Sequence, residues 1–349
     1  MDKRCRARIE KNIITGDSGV VGGGIFVYDS SPTIRHNVVS QNKASYRGGG
    51  IFCKFAQARI EENEVLKNYA QAYGGGIYST YSSPQIISNL VAQNEAKEKG
   101  GGEYGAMDSF SVVRRNIFFS NVSPQGGGVY FRNCSAQIWN NTIDSNSALT
   151  GGGLFLSGSY FHPWIINNII SRSTNGQGIF CEDGSIPLIC YNDVWDNRLG
   201  NFTYCPSKVG DITWGKNYKG TPCDSFFNII LDPLIFLPDT DISSPNNFHI
   251  SCFSPCKDAG DPSFVVPEKD AEKIDIGAKE YTPTLGNVND DGRIDLLDLY
   301  FLGEYLLKAG PAPCPLSSSD VNCDDVINLV DLILLIHYVF ENLNFPCSF

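Results

Sequence analysis

The fold is decided by two consecutive stretches of 26 residues: residues 48–73 read GGGIFCKFAQARIEENEVLKNYAQAY, and residues 74–99 read GGGIYSTYSSPQIISNLVAQNEAKEK. Each stretch opens with three glycines and an isoleucine, and each carries a second isoleucine followed three residues later by asparagine. The triplet recurs every 25 or 26 residues, a period typical of solenoids, propellers and arrays. Its copies begin at Gly22, Gly48, Gly74, Gly100, Gly126 and Gly151, with a degenerate copy at Gly176.

Each repeat is composed of short strands. Apolar and polar residues alternate over runs of a few positions between the glycines and asparagines, and no periodicity of 3.6 residues is visible. Three such strands with their corners account for one coil of a parallel β-helix. Asparagine fits the corners because it tolerates left-handed backbone and its amide can bond the next coil, and glycine permits close backbone approach. We therefore predict a mainly β solenoid of about eight to ten coils.

The repeats resemble the right-handed parallel β-helix of the pectin-lyase-like superfamily, and the Gly-Gly-Gly-Ile-Phe/Tyr form is similar to repeats of bacterial surface and secreted β-helix proteins. This resemblance covers roughly residues 5–200. It implies the fold, whereas it implies little about activity, because the scaffold hosts many functions.

One column of the repeat is aromatic in seven coils. The residues on either side of it look inward-facing, so alternation places the rings on the outer face of their strand. An exposed ladder of rings is a surface on which a polysaccharide can stack, and we name it as the candidate ligand-binding surface. The alternative is that the rings stabilise the sheet pair by pair or are covered. The column consists of Phe26, Phe52, Tyr78, Tyr104, Tyr130, Phe155 and Phe180.

Candidates for catalysis are few. Polysaccharide lyases of this scaffold use a Lys or Arg base, and its glycoside hydrolases use paired carboxylates. Glu103 occupies an otherwise aliphatic column, which predicts a buried carboxylate with a raised pKa, and Arg132 lies within about one coil of it. These two residues are the candidate catalytic pair, and the sequence leaves open whether the β-helix is an enzyme at all.

The C-terminal region contains a duplicated acidic loop. Residues 287–298 read NVNDDGRIDLLD, and residues 320–331 repeat the pattern as DVNCDDVINLVD. Oxygen-bearing side chains at positions 1, 3, 5, 9 and 12, with an apolar residue at position 8, form the EF-hand calcium loop. We predict two bound Ca²⁺ ions, with weaker binding by the second loop because Asp325 replaces the usual glycine at position 6. The predicted ligands are Asn287, Asn289, Asp291, Asp295 and Asp298 in the first loop and Asp320, Asn322, Asp324, Asn328 and Asp331 in the second.

Two loops with one helix each, with Asp at position 12, resemble a type I dockerin. This resemblance implies calcium-dependent docking onto a cohesin module of a scaffold or cell-surface protein. It also implies partner contacts at positions 10 and 11, which are Leu296 and Leu297 in one copy and Leu329 and Val330 in the other. Because the pairs are alike and apolar, they would permit two symmetry-related binding modes. A disulfide between Cys314 and Cys323 is expected as a short closure. The alternative for this module is that it caps its own β-helix.

Charge and cysteine content restrict the class of protein. The net charge is −11, and ten acidic against two basic residues from Gly286 onward place −8 of it in the C-terminal module. This balance argues against nucleic-acid binding, no apolar stretch is long enough to span a bilayer, and 12 cysteines favour an oxidising compartment. Met1 is followed at once by half a coil, so we expect a fragment or mature chain of a secreted bacterial protein, extracellular or at the cell surface.

The expected layout is β-helix coils over residues 1–200, a final coil and cap over 201–281, a linker at 282–285 and the dockerin-like module at 286–349. The predicted function is binding or degradation of a polysaccharide by a protein that its dockerin attaches to a cohesin-bearing scaffold. The alternative is a non-catalytic surface or adhesive rod whose calcium module is a cap or anchor.

Overall fold

The structure is a computed structural model that describes residues 7–107, 110–159, 161–182, 184–213, 215–238, 241–244, 247–264, 273–341 and 343–347. It divides into two compact units. The first comprises Met1–Pro233 and Asp258–Lys279, and the second comprises Leu234–Lys257 and Glu280–Phe349. The segment 234–257, which the sequence places in the cap, thus groups with the C-terminal module.

The first unit is a parallel β-solenoid of about seven turns, against the predicted eight to ten. Three eight-stranded parallel sheets run along it, each built from equivalent strands of successive coils. The first sheet contains Arg8–Glu10, Thr33–Arg35, Arg59–Glu61, Gln85–Ile87, Val112–Arg114, Gln137–Trp139, Trp164–Ile166 and Leu188–Cys190. The second contains Ile13–Thr15, Val38–Ser40, Glu64–Leu66, Leu90–Ala92, Ile117–Phe119, Thr142–Asp144, Ile169–Ser171 and Asp193–Trp195.

The third eight-stranded sheet carries the aromatic column and is called the aromatic sheet below. A four-stranded sheet of short strands precedes it in the early coils, and an antiparallel pair, Gly215–Lys216 with Pro222–Cys223, follows the solenoid in the chain. The aromatic sheet contains Ile25–Tyr28, Ile51–Lys54, Ile77–Thr80, Glu103–Ala106, Val129–Arg132, Leu154–Ser157, Ile179–Cys181 and Phe202–Thr203, and the four-stranded sheet contains Ser18–Val21, Lys43–Arg47, Tyr69–Ala70 and Glu95–Ala96.

Buried asparagines connect the coils. The Asn63 side chain accepts hydrogen bonds from the backbone N–H and the amide of Asn37, and it donates to the carbonyls of Ile34 and Glu61. Asn89 repeats this pattern one coil later, so these amides satisfy backbone groups at the same corner of successive coils. The predicted bonding of asparagines between coils is confirmed.

The glycine triplets lie where coils touch. A Cβ on Gly75 would stand 2.5 Å from the carbonyl oxygen of Glu95 and 2.6 Å from that of Gly101, and Gly74 has φ +66°. Only glycine avoids both the contact and the strain, as the sequence predicts. Inside the coils, isoleucines such as Ile34, Ile60 and Ile86 are fully buried and form the core.

The second unit contains two α-helices of 13 residues, α1 (Leu296–Lys308) and α2 (Leu329–Glu341), and a short 3₁₀ helix, Leu316–Ser319. Val288, Leu302 and Leu335 are buried at its centre. Among the helices of the described residues, none has the length and apolar character needed to cross a membrane.

Two disulfides lie in this unit, and they differ from the predicted Cys314–Cys323 bond, which is wrong. Cys314 is bonded to Cys252, and Cys323 is bonded to Cys347. The prediction considered only closeness in sequence, whereas the fold brings the segment 234–257 against the module and so places Cys252 beside Cys314.

Candidate calcium loops and aromatic cleft

In the first acidic loop, side-chain oxygens converge on one backbone amide. The N–H of Asp291 donates to Oδ1 of Asn287 and to Oδ1 of Asn289, each at 3.1 Å. The carboxylate of Asp298 is fully buried and accepts hydrogen bonds from the backbone N–H groups of Val288, Asn289 and Asp295. Burial raises the pKa of Asp298.

The second acidic loop repeats this arrangement. The N–H of Asp324 donates to Oδ1 of Asp320 and to Oδ1 of Asn322, again at 3.1 Å. Asp331 is fully buried and accepts from the N–H of Asn328 at 2.9 Å. The duplication seen in the sequence is therefore also a duplication of hydrogen bonds.

The side chain at position 9 of each loop accepts a hydrogen bond from the helix that follows the loop. The carboxylate of Asp295 caps α1 by accepting from the N–H of Leu297, and Oδ1 of Asn328 accepts from the N–H of Val330 at the start of α2. These side chains fix the beginning of each helix.

The loops fit a hard cation. Their converging side-chain atoms are oxygens, which Ca²⁺ prefers, and the described part of the chain offers neither Asp298 nor Asp331 an ion pair with Lys or Arg. No group of three or more His, Cys, Asp or Glu residues converges among the described residues, but two of the oxygens at the centre of the first loop come from asparagines. The ten residues predicted as ligands are the ones that would hold the metal.

Position 6 distinguishes the two loops. Gly292 has φ +86° in the first loop, and Asp325 holds the same left-handed conformation in the second, with φ +63°. A side chain in this conformation costs roughly 1 kcal/mol per residue, because its Cβ crowds the backbone. We expect this cost to weaken calcium binding by the second loop, since an empty loop is free to leave the left-handed conformation at Asp325 and must adopt it again to bind the ion.

Replacing Asp325→Gly should therefore tighten calcium binding by the second loop about five-fold, the equivalent of roughly 1 kcal/mol. Isothermal titration of the chain with Ca²⁺ measures this, and Gly292→Asp in the first loop is the matched control, with an expected loss of similar size. Unchanged affinity in both variants would show that the backbone conformation at position 6 does not limit binding.

The predicted partner-binding residues are all exposed. Leu296 and Leu297 are each 58% exposed at the start of α1, and Leu329 and Val330 are 52% and 50% exposed at the start of α2. All four are positions 10 and 11 of the acidic loops and lie in the first turn of α1 or α2.

The aromatic column forms a continuous stack. Neighbouring rings from Phe26 to Phe180 lie 4.8–5.4 Å apart between centroids and are nearly parallel. The rings are on the side of the aromatic sheet opposite the core, as alternation predicts, but the five between Phe52 and Phe155 are at most 5% exposed. Phe26, at one end, is 54% exposed.

A cleft of about 400 Å³ lies over this exposed end. Its floor contains the rings of Phe26, Phe52, Tyr78 and Tyr104, and its remaining lining includes further aromatic residues and three cations. This surface was not predicted from the sequence to include Tyr46, Arg47 and Tyr73. Their position was a usable signal, since Arg47 and Tyr73 directly precede glycine triplets. The other lining residues are Val21, Tyr28, Lys54, Thr80, Tyr81, Ala106, Met107 and Arg132.

The two catalytic candidates lie on opposite faces of the aromatic sheet. Glu103 is fully buried in the core, where desolvation raises its pKa to about 8, and its carboxyl oxygens have no hydrogen-bond partner among the described residues. Arg132 is exposed, pairs in register with Ala106 and lines the cleft. The buried carboxylate with a raised pKa agrees with the prediction. The expectation that Glu103 and Arg132 act together gains no support, because the sheet separates their side chains.

The chain thus forms a β-solenoid followed by a module with two oxygen-rich loops, each leading into a helix. Residues 285–340 match the dockerin type I domain, so the chain combines a parallel β-solenoid with a C-terminal type I dockerin. Dockerin domains of this type bind calcium and cohesins. Comparisons with curated proteins and with solved structures give no match, and the resemblance of the coils to pectin-lyase-like proteins remains a prediction.

Proposed function

We propose that this protein is a secreted, polysaccharide-directed component that its dockerin, holding two Ca²⁺ ions, attaches to a cohesin-bearing scaffold or surface. The attachment is supported by the dockerin match and by the duplicated oxygen-rich loops.

The proposal that the protein binds a polysaccharide rests on the residues that line the cleft. The exposed ring of Phe26 offers an apolar surface against which sugar C–H groups pack, and Tyr46 and Tyr73 add polar tips beside the floor. The guanidinium of Arg47 lies 4.2 Å from the ring centroid of Tyr46 and 5.1 Å from that of Tyr73. Arg47, Lys54 and Arg132 line the cleft, whereas none of its described lining residues is acidic, so it suits a sugar chain that carries negative charge.

Phe26→Ala should weaken glycan binding about ten-fold, because it removes the exposed end of the stack at a cost of roughly 1–1.5 kcal/mol. A glycan array with the full chain identifies the ligand, and affinity electrophoresis or calorimetry then compares the variants. Trp164→Ala is the matched control, since Trp164 is 48% exposed, lies in the first sheet and does not line the cleft.

If no glycan on the array is retained, the polysaccharide proposal fails and the non-catalytic rod becomes the better account. The buried ring stack favours that second candidate, since it stabilises the aromatic sheet whether or not a ligand binds. Degradation is tested on any retained glycan, where a lyase would release unsaturated products that absorb in the ultraviolet.

A further inference from the structure

An exposed apolar stripe covers one face of α2. The residues follow helical spacing, so they lie side by side, and a contiguous exposed apolar patch of this kind marks an interaction surface. The stripe begins just before the helix and continues to its last turn. Its members, between 38% and 64% exposed, are Val326, Leu329, Val330, Ile333, Ile336 and Phe340.

The corresponding face of α1 is interrupted. The chain repeats itself at an offset of 33 residues, so each position of the stripe has an equivalent in the first half. Arg293 stands where α2 has Val326, and Gly303 stands where it has Ile336, which puts a charge and a gap into the row. The remaining equivalents are Leu296, Leu297, Tyr300 and Leu307.

A second observation also separates the halves. The segment 234–257, called the flanking hairpin here, pairs its two sides through the N–H of Phe236 to the carbonyl of His249 and the N–H of Phe248 to the carbonyl of Phe236. It is fixed to the first half, because Asp290 of the first loop accepts hydrogen bonds from Ser251 Oγ at 2.8 Å and from the N–H of Cys252 at 2.6 Å.

The flanking hairpin stands beside the first partner-binding pair. The Phe236 ring packs against Gly292, and a cavity of about 530 Å³ is lined by the hairpin on one side and by Arg293, Asp295 and Leu297 on the other. Among the described residues that line this cavity, none comes from the second loop or α2. A partner that contacts Leu297 would therefore also lie beside the hairpin, and among the described residues that line this cavity the second half of the module contributes none.

We propose that a cohesin binds this dockerin through the α2 face, in one orientation. The inference rests on the proposed attachment and makes it more specific. It also replaces the two equivalent binding modes that the similar residue pairs suggest. The apolar residues of both faces are exposed, but Arg293 and Gly303 interrupt the α1 face and the hairpin lies beside it, and these two features break the equivalence of the halves. The partner surface is expected to be apolar at its centre, to match the aliphatic stripe.

The test compares two matched double variants of the full chain in the presence of Ca²⁺, against immobilised type I cohesin modules. Leu329→Asp with Val330→Asp should weaken binding about 100-fold, and Leu296→Asp with Leu297→Asp should change it by less than about three-fold. Both pairs occupy the first turn of a helix, where a carboxylate is tolerated, and circular dichroism checks that each variant keeps its helices. Val326→Arg, which copies the first half, should weaken binding about ten-fold.

Equal losses of cohesin affinity in the two double variants would overturn the single orientation. It would also be overturned if neither double variant lost affinity and only the combined quadruple variant did. Failure of the unmodified chain to bind any cohesin tested would overturn the proposed attachment itself, and this inference with it. A loss of cohesin affinity that is confined to the α2 variants supports the attachment and the single orientation.

Discussion

Removing calcium should unfold the C-terminal module and leave the solenoid folded. Each occupied loop contributes about 4 kcal/mol when the free Ca²⁺ concentration is about a thousand times the dissociation constant, so chelation removes a large part of the stability of a small module. The far-ultraviolet circular dichroism signal of helix should decrease, because α1 and α2 are the α-helices of the described residues. Cohesin binding should disappear at the same chelator concentration.

The physical reason lies in the two buried carboxylates. Asp298 and Asp331 are fully buried at position 12 of their loops, and each is held by backbone N–H groups. A buried ionised carboxylate without a compensating cation costs several kcal/mol, so an empty loop favours opening. A bound Ca²⁺ supplies the missing positive charge, which couples metal binding to folding.

Two spectroscopic probes separate the units. Far-ultraviolet circular dichroism follows the helices. Trp139, Trp164 and Trp195 lie in solenoid strands, and the sequence of the second unit contains no tryptophan, so tryptophan fluorescence follows the first unit. Asp298→Ala should reproduce the effect of chelation on the first loop, and Glu304→Ala is the control, because Glu304 lies on the same helix and pairs with Lys308 outside the loop. Full helicity in excess chelator would contradict the coupling.

The coil could be predicted from the sequence because its determinants are local. A glycine triplet and two asparagines in each repeat fix the close approach and the corner hydrogen bonds, and every coil repeats the same chemistry. The acidic loops were equally clear, because calcium ligands occur at fixed spacing within 12 residues. The contacts found in the structure, such as the amides of Asn287 and Asn289 on the N–H of Asp291, are contacts within one loop.

Features that depend on distant segments were not predictable. The alternation of side chains predicts the correct face for the aromatic column, but it does not predict how far neighbouring rings cover one another. Because the stacked rings bury each other, the exposed part of the column is mainly its end at Phe26. Tyr46 and Tyr73 come from the approach to the aromatic sheet and became part of the cleft only in three dimensions. The disulfide partner of Cys314 lies 62 residues away in a segment without repeats, and spacing carries no information about it.

Glu103 should make the solenoid less stable as the pH rises. Its folded-state pKa of about 8 lies above the ordinary glutamate value of 4.5, so the folded protein holds this proton more tightly than the unfolded chain. The stabilisation from the protonated form is complete below about pH 4.5 and is lost as the pH rises through 8. A shift of this size corresponds to a loss on the order of 4–5 kcal/mol.

Desolvation is the cause that gives the effect its size. Glu103 occupies the column of Ile77 and Val129, faces the core, and has two carboxyl oxygens without a hydrogen-bond partner among the described residues. Ionisation there places a charge among aliphatic side chains, whereas the protonated acid places only a dipole. A residue in this position is protected from substrate by the aromatic sheet, so its raised pKa is explained by burial without any catalytic role.

Denaturant unfolding of the full chain, followed by tryptophan fluorescence at several pH values between about 5 and 9, measures the effect. Glu103→Gln keeps the shape and removes the titration, so the difference in unfolding free energy between the variant and the unmodified protein should be small near pH 5 and favour the variant by several kcal/mol near pH 9. Glu103→Ile should stabilise further, because it continues the aliphatic column. Glu98→Gln is the control, since Glu98 interacts with Tyr73 outside the core and should leave the pH dependence intact. A difference between Glu103→Gln and the unmodified protein that does not change with pH would mean that the carboxylate is solvated or paired, and Glu103 would then return as a candidate for chemistry.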